Sequence, residues 1–162
     1  AAASLRHSFP LKFILCGVGA MLDELNARCS RESLSNVLFA GFLNREGVRE
    51  VLNLSNAVFV SYLPEPILET GCPNKYFDGL AAGKVIIINF GGWIRKEIEE
   101  NSCGLYVDPR QPDTLVSKFG EVMNSEPLQN KMRTSARRLA EERYSRKQLS
   151  EKFAGLFETG GR

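Results

Sequence analysis

Three side chains with complementary chemistry fall within one short stretch: Asn74, Lys75 and Asp78. Residues 70–84 read Thr-Gly-Cys-Pro-Asn-Lys-Tyr-Phe-Asp-Gly-Leu-Ala-Ala-Gly-Lys and lead straight into Val85-Ile86-Ile87-Ile88. The pattern predicts loop, helix and strand. Pro73 suits the first helical position, where its missing N–H is not needed, and Gly83 suits the left-handed position just past the helix end. On such a helix Asn74, Lys75 and Asp78 project along one edge beside the N-terminus, because residues three and four apart are neighbours. The free N–H groups and positive dipole end attract phosphate, and Lys75 adds a full charge. Asp78 can accept hydrogen bonds from two vicinal hydroxyls, such as those of a ribose. A nucleotide carries both parts.

The surrounding elements must hold that helix in place. An apolar run over residues 11–16 ends in Gly17-Val18-Gly19, and Met21, Leu22 and Leu25 then mark one helical face. Gly17 and Gly19 begin like a dinucleotide fingerprint, but its third glycine would fall at Leu22, and no acidic residue follows a second strand. Either these glycines only turn the chain, or their small size lets a ligand approach the carboxyl ends of the strands. Residues 37–40 read as a strand leading to Gly41-Phe42-Leu43, residues 47–54 as a short helix and residues 57–61 as a third strand. After a strand over 84–89, Gly91-Gly92 opens a helix with Ile94 and Ile98 on one face, and its free end offers a second approach to a ligand. A last strand over 105–107 precedes helices over 113–123, just after Pro112, then 127–143 and 144–157. In the helix over 127–143, Leu128, Met132, Ala136 and Leu139 track the core, leaving Lys131, Arg137 and Arg138 outside. That basic face is either solvated or suited to an anionic membrane surface. Near-continuous apolar strands alternating with helices predict a Rossmann-like three-layer α/β/α sandwich with a mostly parallel sheet.

Composition narrows the classes. A chain of 162 residues, 43% hydrophobic and 25% charged, can bury the core of one domain. A net charge of +2 points to no nucleic acid partner. No run approaches the ~18 apolar residues of a membrane span, and the Ala-rich start lacks the regions of a signal peptide, so a cytoplasmic location is the default expectation. Cys16, Cys29, Cys72 and Cys103 lie far apart without Cys-x-x-Cys, which predicts reduced thiols and neither a zinc site nor a redox pair. His7 is the sole histidine, so no hydrolase triad can be assembled and no metal cluster is expected. Residues 1–10 and 159–162 read as frayed ends.

Cys72-Pro73-Asn74-Lys75 with Phe77-Asp78-Gly79-Leu80-Ala81-Ala82-Gly83-Lys84 resembles a known signature: Ser-Pro-Asn-Lys, Phe-Asp and Leu-Ala-Ala-Gly-Lys. It belongs to bacterial retaining glycosyltransferases of the GT-B fold, group 1 or family 4 type, in the branch that builds capsular, exopolysaccharide and lipopolysaccharide sugars. Phe90-Gly91-Gly92-Trp93, Glu97, residues 103–109, residues 136–140 and Tyr144-Ser145 continue the resemblance in order, so that it covers residues 11–157. It implies one half of a GT-B fold, the C-terminal, donor-binding domain, in residues 11–157. Residues 1–10 would then be a remnant of a preceding helix or disordered, and residues 158–162 a tail. The implied donor is a nucleoside diphosphate sugar, with no metal or other cofactor. The implied partner is an acceptor-binding N-terminal domain, with the active site between the two halves and possible acceptors a glycan or a lipid-linked sugar at the inner face of the cell membrane.

Carried onto matching positions, the resemblance places Asn74 and Lys75 against the leaving diphosphate and Asp78 on the ribose. It also places the backbone of Gly41, Phe42 and Leu43 at the nucleobase, where Phe42 and Leu43 could equally be loop anchors. The family commonly has two acidic residues eight apart, but eight before Asp78 stands Thr70. Glu69, one residue off, or Glu65 could take the sugar-side role, or both could be solvated loop charges. The resemblance further implies a first strand and a basic turn outside this sequence, with that strand central between residues 11–16 and 57–61. Without it those two strands would pair directly or borrow a strand from another chain, and the chain alone would transfer no sugar and bind nucleotide weakly if at all. A non-catalytic nucleotide-binding or protein-interaction domain of the same fold is the alternative.

Overall fold

Val85–Ile88 forms β4, and all four of its residues are buried. Successive strand residues point to opposite faces, so this burial requires cover on both sides of the sheet. Ile86 and Ile88 pack with Tyr76, Leu80, Ile94, Ile98 and Leu139 on one face, while Ile87 packs with Leu5, Leu115 and Phe119 on the other. The computed structural model describes residues 1–111 and 113–159. Pro112 and residues 160–162, which enter the sequence reading as a helix leader and part of a tail, lie outside the described residues.

In chain order the elements are α1 (Ala2–Leu5), β1 (Phe13–Cys16), α2 (Leu22–Arg31), β2 (Val37–Gly41), α3 (Arg45–Leu54) and β3 (Ala57–Val60). A 3-10 turn (Pro66–Thr70) leads to α4 (Asn74–Ala81), then β4, α5 (Gly92–Glu100) and β5 (Gly104–Tyr106). The chain continues through α6 (Asp113–Met123), α7 (Glu126–Arg143) and α8 (Arg146–Thr159). Helices α4, α5 and α7 cover one face of the β3-β4-β5 sheet, while Leu5 of α1 and Leu115 and Phe119 of α6 cover the other, so three layers form as the alternation predicts. Every strand pairing is parallel. No described helix is long and apolar enough to cross a membrane.

Among the described residues five strands divide into two sheets, β1-β2 and β3-β4-β5. Ala57 of β3 pairs with Val85 and Ile86 of β4 with Gly104, whereas among the described residues β1 pairs only with β2, Phe13 opposite Val37. The direct pairing of β1 with β3 that the sequence allows is therefore not formed, and residues 2–5 supply a helix, not a strand, with Leu5 fully buried. Both β1 and β3 keep one open edge, and Ile14, Leu15 and Phe59 along them are each 37% exposed. The expectation of continuous strand burial thus holds for β4 and fails for β1. The physical reason is neighbours: β4 is flanked on both edges and both faces, and β1 on one edge. Phe13 and Ala57 nevertheless pack against the same cluster as Leu5, which keeps the two sheets in one core.

Candidate functional site

Helix α4 is short and bounded by local chemistry. Pro73 sits one residue earlier than its pattern suggests, at the N-cap, with extended backbone and no side-chain cap on the first turn. Gly83 has φ +61°, its N–H donates to the Leu80 carbonyl at 2.9 Å, and the Lys84 N–H donates to Gly79 at 3.0 Å. This paired closure ends the helix as expected. Asn74, Lys75 and Asp78 are exposed, and among the described residues their side chains have no hydrogen-bond or ion-pair partner. One edge of α4 therefore presents free N–H groups, an amide, an ammonium and a carboxylate to solvent.

What lies beneath that edge is a buried hydrogen-bonded cluster. Tyr76 is fully buried, and its hydroxyl donates to Glu97 Oε2 of α5 at 2.6 Å. Tyr144, just after α7, donates to the same carboxylate at 2.6 and 2.8 Å, and Arg143 Nη1 donates to Oε1 at 3.1 Å. Burial, and then the bond to Glu97, raises the pKa of both phenols, so each stays a donor at neutral pH. Helix α7 crosses α4 antiparallel: Arg137 Nη1 donates to the Ala81 carbonyl at 2.6 Å, while Tyr144 meets Phe77 edge-on at 4.8 Å. Trp93 contacts Tyr76 at 5.9 Å and donates from Nε1 to the Gly71 carbonyl at 3.0 Å, fastening the loop before α4.

The sequence marks Glu97 only as part of the family resemblance and does not disclose this buried node. A signal existed. Glu97 lies three after Ile94 and one before Ile98, within the stripe that α5 buries.

Glu69 and the glycine turn are also not where chemistry alone would put them. Gly92 adopts φ +78°, and a Cβ there would collide with the Glu69 carbonyl oxygen. A Cβ on Gly91 would meet the Glu69 carboxylate at 2.8 Å. The end of α5 that the sequence offers as a second ligand approach is covered by Glu69, whose negative charge complements the helix dipole there. Glu65 is exposed on the same loop.

The glycines of the first sheet do come together: the Gly17 N–H donates to the Gly41 carbonyl at 2.7 Å, with φ +131° and +67°. Added Cβ atoms at Gly17, Gly19 or Gly41 would meet nothing within 4 Å, so the strand ends are open. Phe42 is 77% exposed, which fits a platform better than an anchor, whereas Leu43 is half-buried beside α3. Among the described residues no hydrogen bond or ring contact joins this group to α4. Surface hollows of about 370 Å³ beside Arg133, Arg137 and Arg138, and about 450 Å³ beside Cys29 and Phe39, contain none of the expected site residues. The α4 site is an open ledge. Among the described residues no three His, Cys, Asp or Glu side chains gather as a metal site.

Parallel strands under two helical layers, with an uncapped helix N-terminus at the carboxyl ends of the strands, define a Rossmann-like module. The chain belongs to the glycosyl transferases group 1 family, whose model matches residues 1–139. It is 22% identical over 150 residues to the O-antigen chain mannosyltransferase C of Escherichia coli, covering 92% of this chain and 40% of that protein. Among solved structures, HepE of Anabaena, crystallised with UDP, matches with TM-score 0.80 and 18% identity over 98% of this chain and 44% of HepE. The C-terminal domain of the group 1 glycosyl transferase LpcC of Francisella tularensis matches with TM-score 0.70 and 17% identity, covering 88% of this chain and 74% of that domain. The fold is thus that of a Rossmann-like half of a GT-B glycosyltransferase, the C-terminal one. The chain spans 37% and 40% of the length of two curated relatives.

Proposed function

We propose that this chain is the donor-binding part of a retaining glycosyltransferase that moves a sugar from a nucleoside diphosphate sugar to a glycan or lipid-linked acceptor in cell-surface polysaccharide synthesis. The observation that carries this reading is the uncapped first turn of α4 with Asn74, Lys75 and Asp78 exposed and unpartnered beside it. As the glycosidic bond breaks, the leaving diphosphate gains charge. Donors and cations fixed against it stabilise the transition state more than the ground state. Asn74 and Lys75 take that role, Asp78 holds the ribose, and Gly17, Gly19, Gly41 and Phe42 line the approach to the base. Glu69, held at the start of α5, is the acidic group available on the sugar side. The acceptor-binding domain would face this ledge, in the cytoplasm at the inner face of the membrane.

The open edges of β1 and β3 bear on domain boundaries. Helix α1 already packs Leu5 against the cluster shared by Phe13 and Ala57, in the place of a crossover that feeds β1. One parallel apolar strand from the parent polypeptide, placed between β1 and β3, would join the two sheets and satisfy both edges. Without such a strand, this reading has the chain alone transfer no sugar.

A thermal-shift panel of nucleoside diphosphates against the parent polypeptide tests the main reading. Stabilisation by at least one diphosphate, and none by the matching nucleoside at equal concentration, is expected. No shift with any diphosphate at millimolar concentration would refute it and leave a non-catalytic interaction module of the same fold.

A further inference from the structure

Glu97 is the one charged side chain in the core of the described residues, 7% exposed. A buried carboxylate is tolerated when its lone pairs are taken up by donors. Here the donors come from two other segments: Tyr76 from the first turn of α4, and Tyr144 with Arg143 from the end of α7. Tyr76 directly follows Asn74 and Lys75. Among the described residues no side chain caps α4, and its first turn is held from below by Tyr76 and at the preceding loop by Trp93.

We propose that Glu97 is a positioning residue, which through the hydroxyls of Tyr76 and Tyr144 fixes the first turn of α4 and so aims its N–H groups, Asn74 and Lys75 at an anionic ligand, the diphosphate of the donor. The proposal rests on the reading of α4 as the donor site. Charge and position make opposite demands here. Were Glu97 felt by the ligand only as a nearby negative charge, neutralising it would tighten diphosphate binding. As a positioning group, it must loosen binding when altered. A nucleoside without phosphate should notice neither.

The test is a nuclear magnetic resonance titration of the parent polypeptide with UDP and with uridine, for the wild type, E97Q, Y76F and Y144F. In E97Q and Y76F the dissociation constant for UDP should rise about three- to ten-fold, the scale of one lost ordinary hydrogen bond, with uridine unchanged. The Asn74 and Lys75 amide resonances should move before any ligand is added. Tighter or unchanged UDP binding by folded E97Q, with those amides in place, would overturn the proposal. So would equal losses for UDP and uridine, which would mark Glu97 as a general support of the fold. If E97Q does not fold, Y144F, which leaves Glu97 bound to Tyr76 and Arg143, decides by the same ratio. A wild type that ignores UDP and every other nucleoside diphosphate refutes the donor-site reading instead, and the ligand-free amide shifts then decide alone whether Glu97 sets the turn.

Discussion

Replacing Lys75 with alanine separates the part of α4 that addresses charge from the part that holds shape. Lys75 is exposed and without a partner among the described residues, so its loss strands no buried group, and stability should stay within about 0.5 kcal/mol. A lysine about 4 Å from a phosphate is worth about 4 kcal/mol at an effective dielectric of 20. Exposure and the entropy of a long side chain reduce this toward the ~1 kcal/mol of solvent-exposed pairs, or about five-fold in Kd. The contribution should grow at low salt, because the screening length rises from about 8 Å at 0.15 M to about 30 Å at 0.01 M. Calorimetric titration of UDP and uridine into the parent polypeptide, as wild type and K75A, at both salt concentrations measures this directly. UDP should lose affinity, more so at low salt, while uridine is unaffected. Equal losses for the two ligands, or a UDP loss indifferent to salt, would show that Lys75 supports structure and does not meet phosphate.

Asp78→Asn should weaken UDP binding by roughly 1 to 3 kcal/mol, the usual loss for charge-assisted hydrogen bonds. An analogue lacking both ribose hydroxyls should bind wild type and variant alike, and a calorimetric difference there would place Asp78 elsewhere. Gly92→Ala forces a side chain into φ +78° and against the Glu69 carbonyl, which should cost about 2 kcal/mol or more and lower Tm by roughly 4 to 8 °C in scanning calorimetry. An unchanged Tm would mean that the loop before α4 is not clamped to α5. Cys16 and Cys72 are exposed, whereas Cys103 is fully buried and burial pushes its thiol up to about 12. Mass spectrometry after alkylation at pH 8 should find Cys16 and Cys72 modified, and Cys103 only after denaturant is added; early labelling of Cys103 would contradict this packing.

The extent to which the sequence disclosed the fold depended on how local the deciding physics was. Gly83 and the residues before it mark the end of α4 because a left-handed residue and its two backbone bonds are decided within five residues. Val85–Ile88 reads as a buried strand because consecutive apolar residues can only be satisfied by cover on both faces. The apolar run ending at Cys16 looks the same, yet β1 is half open, since the number of neighbours of a strand is not written in its own residues. Glu97 was obscured for a related reason: its partners Tyr76 and Tyr144 lie 21 and 47 residues away, joined by packing alone. Glu69 was marked as an acid near the site, but its place over Gly91 and Gly92 follows from how the loop folds back on α5.

The burial of β4 sets a hazard for the nascent and the heated protein. Val85-Ile86-Ile87-Ile88 is uncharged, β-branched throughout and free of proline, the composition of segments that stack into cross-β assemblies when exposed. Its two neighbours, Ala57–Val60 and Gly104–Tyr106, are distant in sequence, so the segment stays unprotected until both have been made and brought in. Lys84 and Asn89 flank it as polar gatekeepers, with Lys84 reaching the Asn53 carbonyl at 3.2 Å only once the chain has folded. Heat inactivation of this protein should therefore be irreversible and faster at higher protein concentration, because each opened molecule offers the next a ready template.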